Sequence, residues 1–414
     1  MKTAKSTFTG YQAFIVAILT ILQFTIILDF MVLSPLSAIL LPELHISTAQ
    51  FGLVVSAYAF SAGASGLLAA GFADRFDRKK LLLFFYTGFI LGTFLCGLAP
   101  NYHFLLIARI VTGLFGGVIG SVSYAIITDL FPLEMRGRVM GFVQMAFASS
   151  QVLGIPIGLY LAHFWNWHAP FLLIVVVSIV VYVSIIWKMQ PVTAHLALQS
   201  KQSPFRHLTK TISKVRYLKG FGATTLLATG GFMLMPFGAA FAVNNLGVTM
   251  EELPIIYMVT GIVNMLAGPI LGRITDKVGK MKMFIFGSVL AMSLVLYYTR
   301  LGVTPLWFLI ILNAVLFLGI TSRMISSQAL MTAVPDASDR GAFMGVNASV
   351  QQISGGIASA MAGVIVFQNA TGHIERYPVL GIIVALTMVI TIFMMYFIDK
   401  DVTARNTLTK TLTH

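Results

Sequence analysis

The residues that could do chemistry in this chain are a few ionisable groups inside apolar sequence. Asp29 lies in an apolar run from Tyr11 to Leu41, and Arg109 and Arg323 lie in later apolar runs. An ionised side chain at the centre of a membrane costs roughly 2.5–3.5 kcal/mol on insertion scales, so such residues usually serve a function. Asp29 is therefore the first candidate for handling a proton or a cationic ligand.

Asp29 and Arg109 could form an ion pair. Arg109 lies about five residues from the start of its run and Asp29 about nine to twelve from the end of its own, so a rise of ~1.5 Å per residue gives comparable depths. Protonation of Asp29 would then release Arg109 and couple a bound solute to a proton. The alternative is a permanent salt bridge that only fixes helix packing.

Polar side chains that could line a cavity form a second group of candidates. Arg323, which has several hydroxyl residues beside it, could face a cavity and attract an anionic or polyhydroxylated solute, or could extend toward the lipid headgroups. Amides could bind solute or join helices, and interhelical bonds of this kind average about 0.6 kcal/mol. The amide candidates are Gln23, Gln144, Gln151, Asn264, Asn313, Asn347 and Gln351.

Composition indicates the elements that position these residues. Hydrophobic residues make up 57% of the chain and charged residues 10%, whereas a soluble domain carries about 25% charged residues. Apolar runs of about 20 residues, the length of a membrane-spanning helix, recur along the chain. We therefore predict an all-α polytopic membrane protein with twelve transmembrane helices. They are predicted at Tyr11–Ala38, Phe51–Ala73, Leu81–Ala99, Phe104–Leu130, Val139–His163, Phe171–Trp187, Gly220–Val243, Leu253–Thr275, Met283–Thr299, Pro305–Ala333, Phe343–Phe367 and Val379–Ile398.

Basic residues predict the orientation of these helices. With the N-terminus inside, only Arg300 and Arg376 of the 27 Lys and Arg residues fall in outer loops, and Arg109 and Arg323 fall within spans. Cytoplasmic loops are enriched in Lys and Arg, so both termini are predicted to be cytoplasmic, in an inner-membrane protein. The net charge of +13 is explained by these loops and by anionic membrane lipids, so no nucleic-acid partner is expected.

Metal, cofactor and enzyme chemistry are not expected. Cys96 is the only cysteine, and the eight His residues lie in loops, tails or near the ends of spans. The sequence contains no zinc-type His-Glu pattern, no glycine-rich nucleotide loop and no nucleophile beside a base.

An internal repeat flanks a basic segment near the middle of the chain. Residues 189–219 contain no acidic residue, which predicts a cytoplasmic linker between one half at 1–188 and another at 220–414. The matching segments are Asp74–Arg75 with Asp276–Lys277, and Arg136–Gly141 with Arg340–Gly345. Two related six-helix halves are typical of secondary transporters, whose substrate site lies between the halves.

Two loops resemble the signature of the major facilitator superfamily, G-x-x-x-D-R-x-G-R-R/K. The first runs from Ala70 to Lys80, and its echo in the second half runs from Gly272 to Lys280. The first copy has Ala70 and Asp77 where the signature has glycines, so the usual loop turn is less assured there.

Two further motifs support the resemblance. Arg109–Gly113 is similar to the superfamily's R-x-x-x-G motif. Gly154, Pro156 and Gly158 resemble the glycine-proline motif of drug:proton antiporters, and more closely that of arabinose-type sugar efflux permeases. These residues are expected to bend the fifth helix at the seam between the halves.

The resemblance implies a monomeric transporter that exports a small organic solute, such as a sugar, a drug-like compound or a metabolite, in exchange for protons by alternating access. Uptake by proton symport, uniport, and translocation of a lipid or a siderophore remain alternatives. Charged residues at the loops could form a latch that holds helices together in one access state, or could only anchor the topology. The latch candidates are Asp74, Arg75, Arg78, Asp129, Asp276 and Lys277.

Overall fold

The structure is a computed structural model that describes residues 8–69, 73–193, 196, 212–336 and 339–412, without the side chains of 74, 133 and 406–412. The helices are α1 Gly10–Val32, α2 Ser37–Glu43, α3 Thr48–Ala69, α4 Arg78–Cys96, α5 Tyr102–Leu130, α6 Leu133–Ser149, α7 Ile155–Phe164, α8 Ala169–Lys188, α9 Val215–Phe232, α10 Gly238–Asn244, α11 Leu253–Val278, α12 Lys280–Tyr298, α13 Leu306–Met331, α14 Arg340–Ile365 and α15 Tyr377–Leu412. Short 3₁₀ turns occupy Ala73–Arg75 and Met235–Phe237, a π-helical turn occupies Ser150–Gly154, and β1 Phe367–Gln368 pairs antiparallel with β2 Ile374–Glu375.

The predicted all-α polytopic fold is confirmed. Eleven helical segments of the described chain are long and apolar enough to cross a membrane. The remaining predicted span is the eleventh, Phe343–Phe367, and it corresponds to α14, a helix of 26 residues rich in Gly, Ser and Ala. Helix α14 packs along α3, so one of its faces is covered by protein and not by lipid. That face can therefore carry small and polar residues.

Two predicted spans differ from the helices in detail. The predicted span Tyr11–Ala38 is two helices, because α1 ends at Val32 and α2 starts at Ser37. Pro35 lies in this break, and proline cannot donate the backbone hydrogen bond of a helix interior. The seventh span starts at Val215, within the predicted linker, and is interrupted near Pro236.

The two halves meet closely at the membrane face opposite the chain termini. Thr48 at the start of α3 donates from Oγ1 to the carbonyl oxygens of Gly363 and Val366, at 3.1 and 2.6 Å. A methyl group at Gly52 would lie 2.8 Å from the carbonyl oxygen of Ser359, so only glycine permits this approach of α3 to α14. We call this face the opposite face and the other the terminal face.

The second seam joins α11 to the π-helical turn. A methyl group at Gly261 would lie 3.1 Å from the Gln151 carbonyl carbon. Gly268 and Gly272 follow on the same side of α11 toward the terminal face. No described atom lies within 4 Å of a methyl group placed at either glycine. Along this second seam the halves touch at Gly261 and leave open space at Gly268 and Gly272. Along the first seam they stay in contact further toward the terminal face, since a methyl group at Gly63 would lie 3.1 Å from the Ser349 carbonyl oxygen.

Candidate functional site

Asp29 of α1 and Arg109 of α5 form an ion pair inside the first half. The Arg109 Nη1 atom lies 2.7 Å from the Asp29 Oδ2 atom, and both side chains are fully buried. Arg109 Nη1 also lies 3.4 Å from the Asp29 carbonyl oxygen. The sequence placed Asp29 and Arg109 at comparable depths, and the structure shows them in direct contact.

Helices α3 and α4 complete the surroundings of the pair. Thr93 of α4 donates to Asp29 Oδ1 at 3.1 Å, so both carboxylate oxygens accept hydrogen bonds. The Tyr58 ring of α3 covers the Arg109 guanidinium, with 4.5 Å between the guanidinium carbon and the ring centroid. Arg109 Nε has no hydrogen-bond partner among the described residues. The pair is well compensated but retains one unsatisfied donor, which is costly in a low-dielectric interior.

Glycines bring these helices close enough to enclose the pair. A methyl group at Gly113, the last residue of the R-x-x-x-G motif, would lie 2.4 Å from the Tyr58 carbonyl oxygen. One at Gly92 would lie 2.7 Å from the Thr112 backbone nitrogen. The motif therefore lets α5 approach α3, which places Tyr58 over Arg109.

An aromatic chain connects the pair to the other half. Phe30, next to Asp29, packs on Tyr58 with ring centroids 5.3 Å apart. Phe30 also contacts Phe232 of α9, with centroids 5.7 Å apart. Two ring contacts therefore link the surroundings of the ion pair to the second half.

Two of the predicted cavity residues join the halves directly. The Asn264 amide donates from Nδ2 to Gln151 Oε1 at 3.2 Å, and Thr321 Oγ1 donates to Asn264 Oδ1. Gln151 lies in the π-helical turn Ser150–Gly154.

That π-helical turn immediately precedes the residues predicted to bend the fifth helix. Pro156 stands at the start of α7. Methyl groups at Gly154 and Gly158 would lie 2.6 and 2.9 Å from side-chain atoms of Leu28 and Val32 on α1. The glycines therefore allow close packing on α1.

The remaining cavity candidates of the first half have other contacts in the described structure. Gln144 is exposed and accepts a hydrogen bond from the Tyr124 hydroxyl at 3.3 Å. Gln23 is buried, and its Nε2 atom lies 3.7 Å from the position of a methyl group at Gly120. Their role in binding solute stays a prediction.

The candidates of the second half have mostly local contacts. Asn347 accepts from Thr224 Oγ1 at 2.6 Å, which joins α14 to α9. Asn313 donates to the Leu309 carbonyl oxygen of its own helix at 2.9 Å. Gln351 is half-buried on α14. Arg323 is enclosed within the second half, with 4% of its surface exposed.

Two of the four first-half latch candidates form a contact between α4 and α5. Arg78 Nε lies 3.2 Å from Asp129 Oδ2, and Arg78 Nη1 donates to the Ala73 carbonyl oxygen at 3.0 Å. Asp77 caps α4 by accepting from the Lys79 backbone amide at 2.9 Å, so an aspartate makes the turn where the signature has glycine. Arg75 is exposed, and the Asp74 side chain lies outside the described residues.

The second-half copy of the signature loop differs. Asp276 and Lys277 are exposed and make no ion pair with any described residue. Gly279 in this copy has φ +105°, a conformation that favours glycine. The turn in the second copy therefore requires a glycine. In the first copy Asp77 occupies the corresponding position with a negative φ, so no glycine is needed there.

A charge cluster at the terminal face of the second half was missed from the sequence. Arg216 Nη2 lies 2.7 Å from Asp336 Oδ1, Lys214 pairs with Asp339, and Arg405 lies 3.4 Å from Asp336. The hydrogen bond from Arg216 lowers the pKa of the Asp336 carboxyl. The hydrogen bond to Asp339 raises the pKa of the Lys214 ammonium. The sequence signal that could have indicated this cluster is the pair of acids Asp336 and Asp339 in one loop, together with the basic residues at the end of the linker.

Comparisons with known proteins agree with this architecture. The family model described as Major Facilitator Superfamily matches residues 19–359 and 221–412. The uncharacterized MFS-type transporter YceJ of Bacillus subtilis (strain 168) is 30% identical over 290 residues, covering 70% of this chain and 73% of the relative. The probable sugar efflux transporter of Helicobacter pylori (strain ATCC 700392 / 26695) is 22% identical over 335 residues, covering 80% and 82%.

A solved structure has the same fold. It is a bacterial homolog of the human lysosomal transporter Spinster in an inward-facing and unoccupied conformation. It superposes with a TM-score of 0.69 at 17% identity and covers 95% of this chain and 96% of the other. Together with the family match, the likeness indicates a multi-pass membrane transporter and not an enzyme. The chain belongs to the Major Facilitator Superfamily.

Proposed function

We propose that this transporter exports a small organic solute across the cytoplasmic membrane in exchange for protons. The observation that carries the proposal is the ion pair between Asp29 and Arg109, which is fully buried and in contact with the seam through Phe30 and Phe232. A proton on Asp29 would remove the charge that holds Arg109, and the freed side chains could rearrange toward the seam. Such a two-state element can link proton binding to movement of the halves.

Alternating access would proceed by rocking one half against the other. Because Lys and Arg concentrate at the terminal face, we assign that face to the cytoplasm together with both termini. The described conformation would then be open to the cytoplasm beside α11, where Gly268 and Gly272 have open space, and closed at the opposite face, where Gly52 is tightly packed. Solute would enter between the halves from the cytoplasm and meet Gln151 and Asn264, which join them near the centre.

Export of a sugar or a related metabolite is supported by one relative. The Helicobacter pylori protein is named as a probable sugar efflux transporter and aligns over most of this chain. Members of the superfamily bind small-molecule substrates and typically work as monomers. We extend both properties to this chain, and expect lipids to surround its outer surface.

Transport in vesicles of known orientation tests the proposal. In inside-out vesicles with an acidic lumen, a substrate added outside should enter the lumen and raise the luminal pH, because each transport cycle removes protons. The panel would include sugars, nucleosides, siderophore-like acids and amphipathic cations, with protein-free vesicles as the control.

Other outcomes would assign a different activity. Solute accumulation only in right-side-out vesicles with acid outside would indicate proton symport and contradict export. Equilibration without any change in luminal pH would indicate uniport. Redistribution of a labelled lipid between leaflets, with no solute flux, would indicate a lipid translocator.

A further inference from the structure

Arg323 is a buried cation that makes no ion pair with any described residue. Only 4% of its surface is exposed, and its Nε and Nη2 atoms have no hydrogen-bond partner in the described part of the chain. The sequence from Met281 to Pro335, which includes almost all of α12 and all of α13, contains no acidic residue. A guanidinium in a membrane interior without a counter-charge is strongly destabilising.

The Arg323 guanidinium lies between three helices of the second half. Its Nη1 atom is 3.6 Å from the position of a methyl group at Gly230 on α9, and the Thr387 hydroxyl of α15 is equally close to that position. Its guanidinium carbon lies 5.8 Å from the ring centroid of Phe284 on α12. A contact with one ring is worth less than the desolvation that burial imposes, so it does not replace an anion.

Unpartnered hydroxyl groups occur in the same region. Ser288, Ser322 and Ser326 are buried, and none of their Oγ atoms has a hydrogen-bond partner among the described residues. A methyl group at Gly287 would lie 2.8 Å from both the Ser322 Cβ atom and the Arg323 backbone nitrogen, so α12 and α13 pack directly here. Ser326 lies one helical turn from Ser322 on the same side of α13.

We propose that Arg323, assisted by Ser288, Ser322 and Ser326, binds an anion inside the second half. All four side chains can donate hydrogen bonds, and the guanidinium supplies the positive charge. The fitting ligand is a small inorganic anion such as chloride, or the carboxylate or phosphate group of a solute. The first half needs no such ligand, because Asp29 neutralises Arg109 within the protein.

Thermal unfolding of the purified full chain in detergent tests this site. Chloride would replace gluconate at constant sodium concentration. A ligand that binds only the folded protein stabilises it by RT ln(1 + [L]/Kd), so Tm rises with the logarithm of chloride concentration above Kd. Arg323→Gln should abolish the rise, while Arg323→Lys should raise the Kd for chloride about tenfold, because an ammonium lacks the guanidinium fork. Arg300→Gln is the matched control, since Arg300 is exposed on a loop, and it should respond like the wild type.

A parallel titration with acetate and a phosphate monoester distinguishes the two sources of the anion. Stabilisation by chloride identifies a resident inorganic ion, and stabilisation by the organic acids alone identifies an acidic group of a solute. If Arg323→Gln does not fold, Ser326→Ala should still weaken the response. An equal response in Arg323→Gln, or no response to any anion, would overturn the proposal. Because the readout is binding, these results are independent of whether the transport proposal holds.

Discussion

At the scale of single residues, Asp29 and Arg109 depend on each other. Both are fully buried, and Arg109 is the only described basic side chain in contact with the Asp29 carboxylate. Removal of one partner from a buried pair costs about 3–5 kcal/mol, because the other charge is left uncompensated. Removal of both can be nearly neutral, because no buried charge remains.

A double-mutant cycle tests this dependence. Arg109→Gln should lower the free energy of unfolding strongly, and Asp29→Asn combined with Arg109→Gln should recover much of the loss. The expected coupling energy exceeds about 0.5 kcal/mol, the limit of additivity for distant sites. Thermal unfolding in detergent provides the measurement, and additive losses would show that the pair contributes no interaction energy.

At the scale of elements, α3 packs closely against α14 at the opposite face. A methyl group at Gly52 would meet the Ser359 carbonyl oxygen at 2.8 Å and the Gly363 Cα atom at 3.1 Å. Both contacts are with backbone, which cannot move aside as a flexible side chain can. The helices must therefore separate if any side chain is placed there.

Gly52→Val should thus shift the population toward a state open at the opposite face. Spin labels at Ser47 and Thr371, exposed residues on the opposite face of the two halves, would report a longer distance than in the parent, both carrying Cys96→Ser. Gly345→Ala is the control, because a methyl group there meets no described atom within 4 Å. An unchanged distance in Gly52→Val would show that this contact does not hold the face closed.

The charge cluster at the start of α9 predicts a dependence on pH. Since Arg216 lowers the pKa of Asp336 below the ordinary value of 3.8, the carboxylate stabilises the folded state above that pH. This contribution is lost as the pH falls through the lower, folded-state pKa. Tm of the wild type should therefore fall more steeply with acidification below pH 3.8 than Tm of Asp336→Asn.

Asp401→Asn is the control for this comparison, because it removes an exposed carboxylate paired with Lys219 outside the cluster. Identical acid slopes in the wild type and in Asp336→Asn would contradict a stabilising role for the Arg216 contact.

At the scale of the whole molecule, the fold could be predicted because membrane-spanning helices need long apolar runs. The motif Arg109–Gly113 supported the family resemblance, and in the structure Gly113 lies against Tyr58. Depth along the membrane could be read from the position of Asp29 in its run. The direction in which each helix faces could not be read from the sequence, so the ion pair between Asp29 and Arg109 remained one possibility.

Contacts between distant parts of the chain account for what was missed. Lys214 and Asp339 pair although helices α9 to α13 separate them in the sequence. Among the amide candidates, only the Gln151 and Asn264 side chains are shown to bond to each other across the seam. Sequence cannot distinguish such residues from Asn313, whose amide donates to its own helix, because both lie in apolar runs.

The most direct test of the central claim is solute-driven proton flux in proteoliposomes that contain the wild type, Asp29→Asn or Asp401→Asn. We predict that a transported solute changes the luminal pH with the wild type and with Asp401→Asn. With Asp29→Asn the change should be lost, while solute binding persists. Proton flux of normal size in a folded Asp29→Asn protein would contradict the account, and would leave Asp29 and Arg109 as a structural pair.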